Sequence, residues 1–307
     1  MDTLIRTPTF FLAGVPKAGT TSLYFYLAQH PQVFMSPIKE PNFFAAADML
    51  ARPGVLRSLE RDRSALRAYL NGPRTRPAWH DVFEWDDYLT LFRNARGETA
   101  IGEASVNYFF QPSAAPAIRA KLPEARLLFM LRDPAERLFS WYLMNLRRYP
   151  GTTFRAWFRA ARNPGDAVNS GRYATHLARF CAIFPRDQMR MYLYDAFRAD
   201  ARGVLRDMFE FIGVNPDSLI DMSRRHNEAR VPRFPVLHRL RQRIFGYTPV
   251  ARWLPAWMRG ALTQLYTRRA GDLVMDPADR RMVIDYYRDE IERTAALIGR
   301  DLSAWLR

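Results

Sequence analysis

A strand, a loop and a helix in quick succession constrain the fold of this chain most. The apolar run from Thr9 to Gly14 predicts a buried β-strand, and Thr20–Gln29 predicts a helix. The loop between them contains glycine at both ends. Such a loop, opening directly into a helix, presents backbone N–H groups to an anion. The segment therefore predicts a phosphate-binding loop within an α/β fold.

The rest of the chain alternates short apolar runs with helical patterns, which is typical of a parallel sheet covered on both faces. Further strands are predicted at Thr99–Gly102, Arg126–Leu131 and Met189–Leu193, with a short one before Glu40. The predicted helices are Trp85–Asn94, Asp133–Arg148, Thr153–Arg162, Ser170–Phe184 and Ala201–Gly213, and a last helix that starts at Asp276-Pro277 and ends at Gly299. We predict an α/β fold with a P-loop-like central parallel sheet flanked by helices on both faces.

A single domain over residues 1–307 is predicted, because no linker divides the chain. Residues 45–80 show no clear strand and are interpreted as a helical excursion, and helical additions are expected from about residue 231. The apolar run before Lys17 is too short to span a membrane and does not resemble a signal peptide. We therefore expect a cytoplasmic protein, with peripheral contact at the inner membrane face left open.

The charge of the chain favours anionic partners. Lys and Arg number 46 against 31 Asp and Glu, which gives a net charge of +15. Such a balance suits nucleic acid, an anionic membrane or a negatively charged substrate. No RNA-binding aromatic motif or zinc finger is found, so nucleic acid is not expected. Cys181 is the only cysteine and the five histidines lack zinc-ligand spacing, so no metal site is predicted.

The position of one lysine distinguishes this phosphate loop from the Walker A loop of nucleoside triphosphatases. Gly14 and Gly19 have the spacing of the G-x-x-x-x-G-K-[ST] pattern. The lysine, however, is Lys17, inside the loop, and Thr20 occupies the position where an NTPase carries it. Without further motifs, an ordinary strand-to-helix turn with capping threonines would explain the segment equally well.

Two segments together resemble a known family. Pro16-Lys17-Ala18-Gly19-Thr20-Thr21-Ser22-Leu23 resembles the 5′-phosphosulfate loop of sulfotransferases that use 3′-phosphoadenosine 5′-phosphosulfate (PAPS). Leu131–Tyr142 is similar to the 3′-phosphate motif of these enzymes, in which an arginine at a strand end and a serine eight residues later hold that phosphate. The resemblance covers most of the chain and is to the glycan and heparan-sulfate type, here in a bacterial form. It implies PAPS as co-substrate, no metal, and these nucleotide-binding residues: Lys17, Ala18, Gly19, Thr20, Thr21, Ser22, Arg132 and Ser140.

The same resemblance suggests the catalytic groups. Lys17 would neutralise charge on the leaving phosphate. Glu40, in a Lys-Glu-Pro-x-Phe-Phe segment, matches the proposed general base of glycan sulfotransferases, although a solvated loop carboxylate paired with Lys39 is the alternative. Lys39 would support the reacting sulfonate, unless it is a surface lysine. Tyr173 matches a stretch near the acceptor cleft, where a helix-start tyrosine could equally belong to the core.

One position departs from the heparan-type pattern. Ala104 follows Glu103 where several relatives carry an active-site lysine, and Glu103 is the next candidate base after Glu40. The chain also lacks the histidine base environment and the C-terminal Arg-Lys-Gly segment of cytosolic aryl and steroid sulfotransferases. We therefore expect a glycan or small-molecule acceptor, sulfated on a hydroxyl or amine. The alternatives are a P-loop kinase or NTPase, and a non-enzymatic basic protein that binds an anionic polymer or membrane.

Overall fold

The computed structural model describes residues 6–51, 66–70, 72, 81–146, 151–161, 166–223, 230–232, 267–269 and 273–307. Contacts group the chain into two compact units. The first unit consists of Met1–Arg132, Arg172–His226 and Glu290–Asp301, and the second of Asp133–Gly171, Asn227–Asp289 and Leu302–Arg307. The prediction of one domain stays a prediction.

The first unit is built on a parallel sheet of five strands. They are β1 (Phe10–Gly14), β2 (Val33–Met35), β3 (Ala100–Ala104), β4 (Arg126–Leu131) and β5 (Met189–Leu193). Their order across the sheet is β2-β3-β1-β4-β5, and every neighbouring pair is parallel. Every residue of β1 and β3 is buried. Because successive side chains point to opposite faces, both faces of these strands are covered, as the continuous apolar runs predict.

The described helices follow the predicted order with shorter bounds. They are α1 (Thr20–Leu27), α2 (Ala46–Leu50), α3 (Trp85–Thr90), α4 (Ala114–Lys121), α5 (Pro134–Asn145), α6 (Phe154–Ala161), α7 (Asp166–Asn169), α8 (Tyr173–Cys181), α9 (Tyr194–Ala199), α10 (Ala201–Ile212) and α11 (Pro277–Ile298). The single helix predicted at Ser170–Phe184 is wrong at its start, because α8 begins only at Tyr173. Helices α4, α7 and α9 were not predicted.

The order of the strands reverses next to β1, which is where open parallel sheets form a ligand-binding crevice. The connection that leaves β1 leads to β2 on one side of the sheet, whereas the connection that leaves β4 leads to β5 on the other side. In open parallel sheets, ligands bind outside the carboxyl ends of the strands where the order reverses in this way. The reversal lies between β1 and β4, so the phosphate loop after β1 and Arg132 after β4 share it.

The second unit contains α5, α6, α7 and most of α11. Asp133 caps α5 by accepting hydrogen bonds from Ala135 N (2.8 Å) and Glu136 N (3.2 Å), and Arg280 donates to its other oxygen (2.6 Å). The predicted start of the last helix is confirmed, since Asp276 accepts from the backbone N–H two residues on. Among the described residues, no helix is both long enough and apolar enough to cross a bilayer.

Two predicted helical regions are described only in part. Within the excursion at 45–80, residues 46–50 and 66–70 are helical, and 52–65, 71 and 73–80 lie outside the described residues. After residue 230, the described segments include two short antiparallel strands, β6 (Arg230–Pro232) and β7 (Thr267–Arg269). The helical additions predicted between these strands lie outside the described residues.

The close packing of β3 against β1 makes a prediction about Gly102. A Cβ atom at Gly102 would lie 2.2 Å from Phe10 Cζ and 2.5 Å from Met35 Sδ. We expect Gly102→Ala to lower the free energy of unfolding by about 1–3 kcal/mol, the usual cost of overpacking a core. Urea denaturation measures it. Gly97→Ala is the control, because a Cβ there meets nothing within 4 Å, and equal destabilisation of both variants would contradict this packing.

Candidate active site

The carboxyl edge of the sheet gathers polar residues from all five strands. Each strand ends in, or is followed by, at least one of them, and in order across the sheet they are Lys39 and Glu40 after β2, Glu103 and Ser105 at the end of β3, Lys17 and Gly19 after β1, Arg132 after β4 and Tyr194 after β5. Parallel strands bring such residues to one edge because all their carboxyl ends lie on the same side.

The phosphate loop is held against β4 and leaves the start of α1 uncapped. Val15 N donates to Met130 O at 3.0 Å. Lys17 and Gly19 both have left-handed backbone conformations, with φ of 69° and 81°. No side chain caps α1 at Gly19, and the first N–H groups of any α-helix lack an intrahelical acceptor. The loop thus offers backbone donors, a lysine and the positive end of a helix to an anion.

Hydroxyl and small residues complete the predicted loop. Thr20 is buried, and Thr21 and Ser22 are half-buried on the first turn of α1. Ala18 is fully buried, so its side chain belongs to the core and only its backbone can serve a ligand. Lys17 is half-buried.

Arg132 contacts the phosphate loop directly. Its Nη1 donates to Lys17 O at 3.1 Å, and its guanidinium carbon lies 4.8 Å from the centre of the Tyr194 ring. Tyr194 also lies against Gly19, where an added Cβ would approach its ring to 2.8 Å. A guanidinium over an aromatic face is attracted by the ring and held flat. Tyr194 therefore orients Arg132 and closes one side of the loop.

Two other predicted site residues, Tyr173 and Ser140, belong to different units of the structure. Tyr173 is buried and its hydroxyl donates to Arg132 O at 2.6 Å, so it holds the backbone of the arginine. Ser140 is half-buried on α5, in the second unit. Its joint grip with Arg132 on a 3′-phosphate stays a prediction.

Lys39 and Glu40 form an ion pair at the end of the segment after β2. Lys39 Nζ lies 2.6 Å from Glu40 Oε1, and the side chains are 1% and 26% exposed. Lys39 is therefore not a surface lysine. A buried ammonium requires a charged partner, and Glu40 supplies it while keeping part of its surface in solvent. Glu40 has φ of 63°, and its backbone N–H donates to Ala104 O at 2.8 Å.

Glu103 is a fully buried carboxyl group beside this segment. Its Oε2 accepts hydrogen bonds from Tyr108 OH (2.8 Å) and Tyr88 OH (3.0 Å), and within the described residues its Oε1 has no hydrogen-bond partner. Burial raises the pKa of Glu103 to about 7, against the lowering effect of hydrogen bonds from Ser105 and the two tyrosines, and the negative charge of Glu40 raises it further.

Sequence reasoning missed three of these side chains. Tyr194, Tyr88 and Tyr108 carry no motif of their own, and each contacts a residue of another part of the chain: Arg132, Glu103 and Phe44, respectively. A weak signal was available for Tyr194, since it directly follows a buried strand, as Arg132 does. No local signal marks Tyr88, which lies on α3.

The fold is that of an α/β protein with a P-loop-like parallel sheet flanked by helices, and comparisons with known proteins give its family. A profile described as Sulfotransferase family matches residues 8–218. The chain belongs to this family.

Individual relatives agree. The chain is 24% identical over 319 residues to mouse bifunctional heparan sulfate N-deacetylase/N-sulfotransferase 4, covering 98% of this chain but 31% of that protein. It is 25% identical over 294 residues to rat carbohydrate sulfotransferase 15, covering 78% and 51%. The chain thus spans about a third to a half of the length of these curated relatives.

Solved structures match as well. The sulfotransferase from Alicyclobacillus acidocaldarius has a TM-score of 0.69 and 29% sequence identity, with 98% of this chain and 100% of that chain covered. A mouse sulfotransferase solved in complex with PAP has a TM-score of 0.46 and 12% identity, with 96% and 87% covered.

The raised pKa of Glu103 predicts a pH-dependent stability. In the folded state the carboxyl group stays protonated up to about pH 7, whereas in the unfolded chain it ionises around its ordinary pKa of 4.5. Stability should therefore fall as pH rises between these values, by on the order of 3 kcal/mol. Glu103→Gln cannot ionise and should lose this dependence.

The measurement compares the unfolding free energies of wild type and Glu103→Gln in urea at pH 5 and pH 8. We expect the stability of wild type relative to the variant to be lower at pH 8. Exposed Glu124→Gln is the control for general effects of removing a carboxylate. An unchanged difference between wild type and Glu103→Gln would show that the carboxyl group titrates normally.

Proposed function

We propose that this protein transfers a sulfuryl group from PAPS to a hydroxyl or amine of a carbohydrate or glycoconjugate acceptor. The observation that carries the proposal is the hydrogen bond from Arg132 to the carbonyl of Lys17. This bond joins the loop that resembles the 5′-phosphosulfate site to the arginine that resembles the 3′-phosphate site. Both lie where the strand order reverses, and the chain belongs to the sulfotransferase family.

The donor set suits a ligand with two separated anionic groups. The uncapped first turn of α1 and Lys17 offer N–H donors and a cation to a phosphosulfate. Arg132, whose guanidinium lies over the Tyr194 ring, offers a planar fork that matches phosphate oxygens. The Walker-type alternative lacks its lysine, because buried Thr20 stands in that position.

In the proposed reaction, the acceptor oxygen or nitrogen forms a bond to sulfur while the bond from sulfur to the bridging phosphate oxygen breaks. The electron pair of the broken bond stays on the phosphate, and PAP is the product. Lys17 stabilises the negative charge that develops on that phosphate. Glu40, which is partly exposed and paired with Lys39, accepts the proton of the acceptor. No metal is required in this scheme.

The acceptor class rests on the relatives. Those described above are named for heparan sulfate and carbohydrate sulfotransfer. The net charge of +15 suits a polyanionic glycan. We also propose contact with an anionic membrane surface, on the basis of the same net charge.

The nucleotide site is tested by titration calorimetry with PAP in buffer that contains EDTA. We expect binding of PAP, and Arg132→Ala should weaken it by about 1.5–3 kcal/mol, the range for a charge-assisted hydrogen bond. Arg202→Ala is the matched control, because Arg202 is exposed on α10 and belongs to none of the predicted nucleotide-binding segments. Unchanged affinity in Arg132→Ala, or tighter binding of ATP with Mg²⁺ than of PAP, would contradict the proposal.

The base is tested by Glu40→Gln, which keeps the shape of the side chain and removes its proton affinity. On an acceptor identified by mass spectrometry with labelled PAPS, we expect kcat to fall by about 100-fold or more while PAP affinity stays nearly intact. Wild-type turnover should persist in EDTA. Full activity of Glu40→Gln would place the base elsewhere, and loss of activity in EDTA with recovery in Mg²⁺ would favour a kinase-like enzyme.

A further inference from the structure

Glu103 is a costly group that the proposed reaction does not use. Its side chain is fully buried, so no acceptor can reach it directly. A buried carboxyl group without full hydrogen bonding destabilises a fold. Its position, beside the phosphate-loop strand at the register Phe11↔Glu103, would suit an apolar residue better on packing grounds alone. The hydrogen bonds of Glu103 indicate a structural role for its carboxyl group.

Tyr108 connects Glu103 to the segment that carries Glu40. The hydroxyl of Tyr108 donates to Glu103 Oε2 at 2.8 Å and accepts from Phe44 N at 3.3 Å. A phenol has one proton to donate. Because the carboxyl oxygen takes that proton, the lone pairs of Tyr108 are left for the backbone N–H of Phe44. The orientation of this hydroxyl therefore depends on the acceptor at Glu103.

Tyr88 makes a second connection to the same segment. Its hydroxyl donates to Glu103 Oε2 at 3.0 Å, and its ring stacks on Phe43 with centroids 4.7 Å apart. One carboxyl oxygen thus fixes two tyrosines, of which one binds the backbone of Phe44 and the other packs against Phe43. These two phenylalanines follow Glu40 by three and four residues.

The segment Lys39–Phe44, which contains Glu40, has a backbone conformation that requires support from neighbouring residues. Glu40 and Asn42 both have left-handed backbone conformations, with φ of 63° and 55°. Non-glycine residues hold such conformations only where the surrounding structure imposes them, at about 1–3 kcal/mol each. The upstream hydrogen bonds run from Glu40 N to Ala104 O and from Asn42 N to Ser105 Oγ, and the Tyr108 contact closes the downstream end.

We infer that Glu103 is a positioning residue, which holds the segment Lys39–Phe44 in place through Tyr88 and Tyr108 and so fixes the Glu40 carboxylate toward the acceptor. The positioning follows from the contacts alone. Its catalytic consequence rests on the proposed role of Glu40 as the base.

The first test measures the segment itself and needs no acceptor. In hydrogen–deuterium exchange read by mass spectrometry, Tyr108→Phe should speed exchange of peptides covering residues 39–46 by about 10-fold, because Phe44 N loses its acceptor. Tyr192→Phe is the matched control, since it removes a tyrosine hydroxyl that donates to Asp207 on α10. Unchanged exchange at 39–46 in Tyr108→Phe would overturn the inference.

Substitution of Glu103 itself provides a second readout. Glu103→Gln keeps an oxygen that accepts from both tyrosines, whereas Glu103→Ala removes it. We expect faster exchange at residues 39–46 in Glu103→Ala and near wild-type exchange in Glu103→Gln. Equal exchange in the two variants would contradict a role as hydrogen-bond acceptor.

The catalytic consequence is tested by a double-mutant cycle. Tyr108→Phe should lower kcat by about 10-fold with PAP affinity unchanged, and the same substitution in a Glu40→Gln background should have little further effect, because the two residues act through one group. Effects that multiply would show that Tyr108 acts independently of Glu40. If Glu40→Gln alone left kcat unchanged, the proposed base would be wrong, while the exchange data would still decide the positioning.

Discussion

Parallel pairing of β1 with β3 on one side and β4 on the other is the constraint on which the first unit depends. Because β1 lies in the middle of the sheet and is buried on both faces, the loop that follows it must emerge between two other strand ends. Val15 is tied to β4 by a backbone hydrogen bond, and Arg132 then reaches back to the carbonyl of Lys17. Lys17 and Arg132 are thereby held close together, and the Tyr194 ring packs against Arg132 and Gly19.

The segment after β2 and the end of β3 carry two buried ionisable groups, Lys39 and Glu103. The buried Lys39 side chain forms an ion pair with Glu40, whose Oε1 lies 2.6 Å from Lys39 Nζ. Burial raises the pKa of Glu103 to about 7, so much of its population is neutral near that pH, and its Oε2 serves as an acceptor for two tyrosines. The pair supplies a partly exposed carboxylate, and the neutral group supplies a rigid support beneath it.

Local sequence predicted the phosphate loop and the strands well, because their determinants lie within a few consecutive residues. The apolar run before Gly14 and the lysine inside the loop are both visible in the sequence alone. The predicted helix at Ser170–Phe184 was wrong at its start. Ser170 and Gly171 instead close α7, since their backbone N–H groups donate to Asp166 O (3.0 Å) and Val168 O (3.1 Å). A Cβ at Gly171 would lie 2.7 Å from the Tyr287 side chain, so this turn also packs tightly against α11. A contact with a side chain more than a hundred residues away, such as Tyr287, cannot be predicted from the local sequence pattern.

The sequence by itself determined the α/β class, the order of strands and helices along the chain, and the positions of Lys17, Glu40 and Arg132, because periodicity and motif spacing are properties of neighbouring residues. Only the tertiary structure decided that Lys39 is buried and that Glu103 holds two tyrosines. Glu103 meets Tyr88 across 15 positions, and Phe44 meets Tyr108 across 64. Burial and the resulting pKa arise from the loss of water around a group, and that loss exists only once distant segments have packed together.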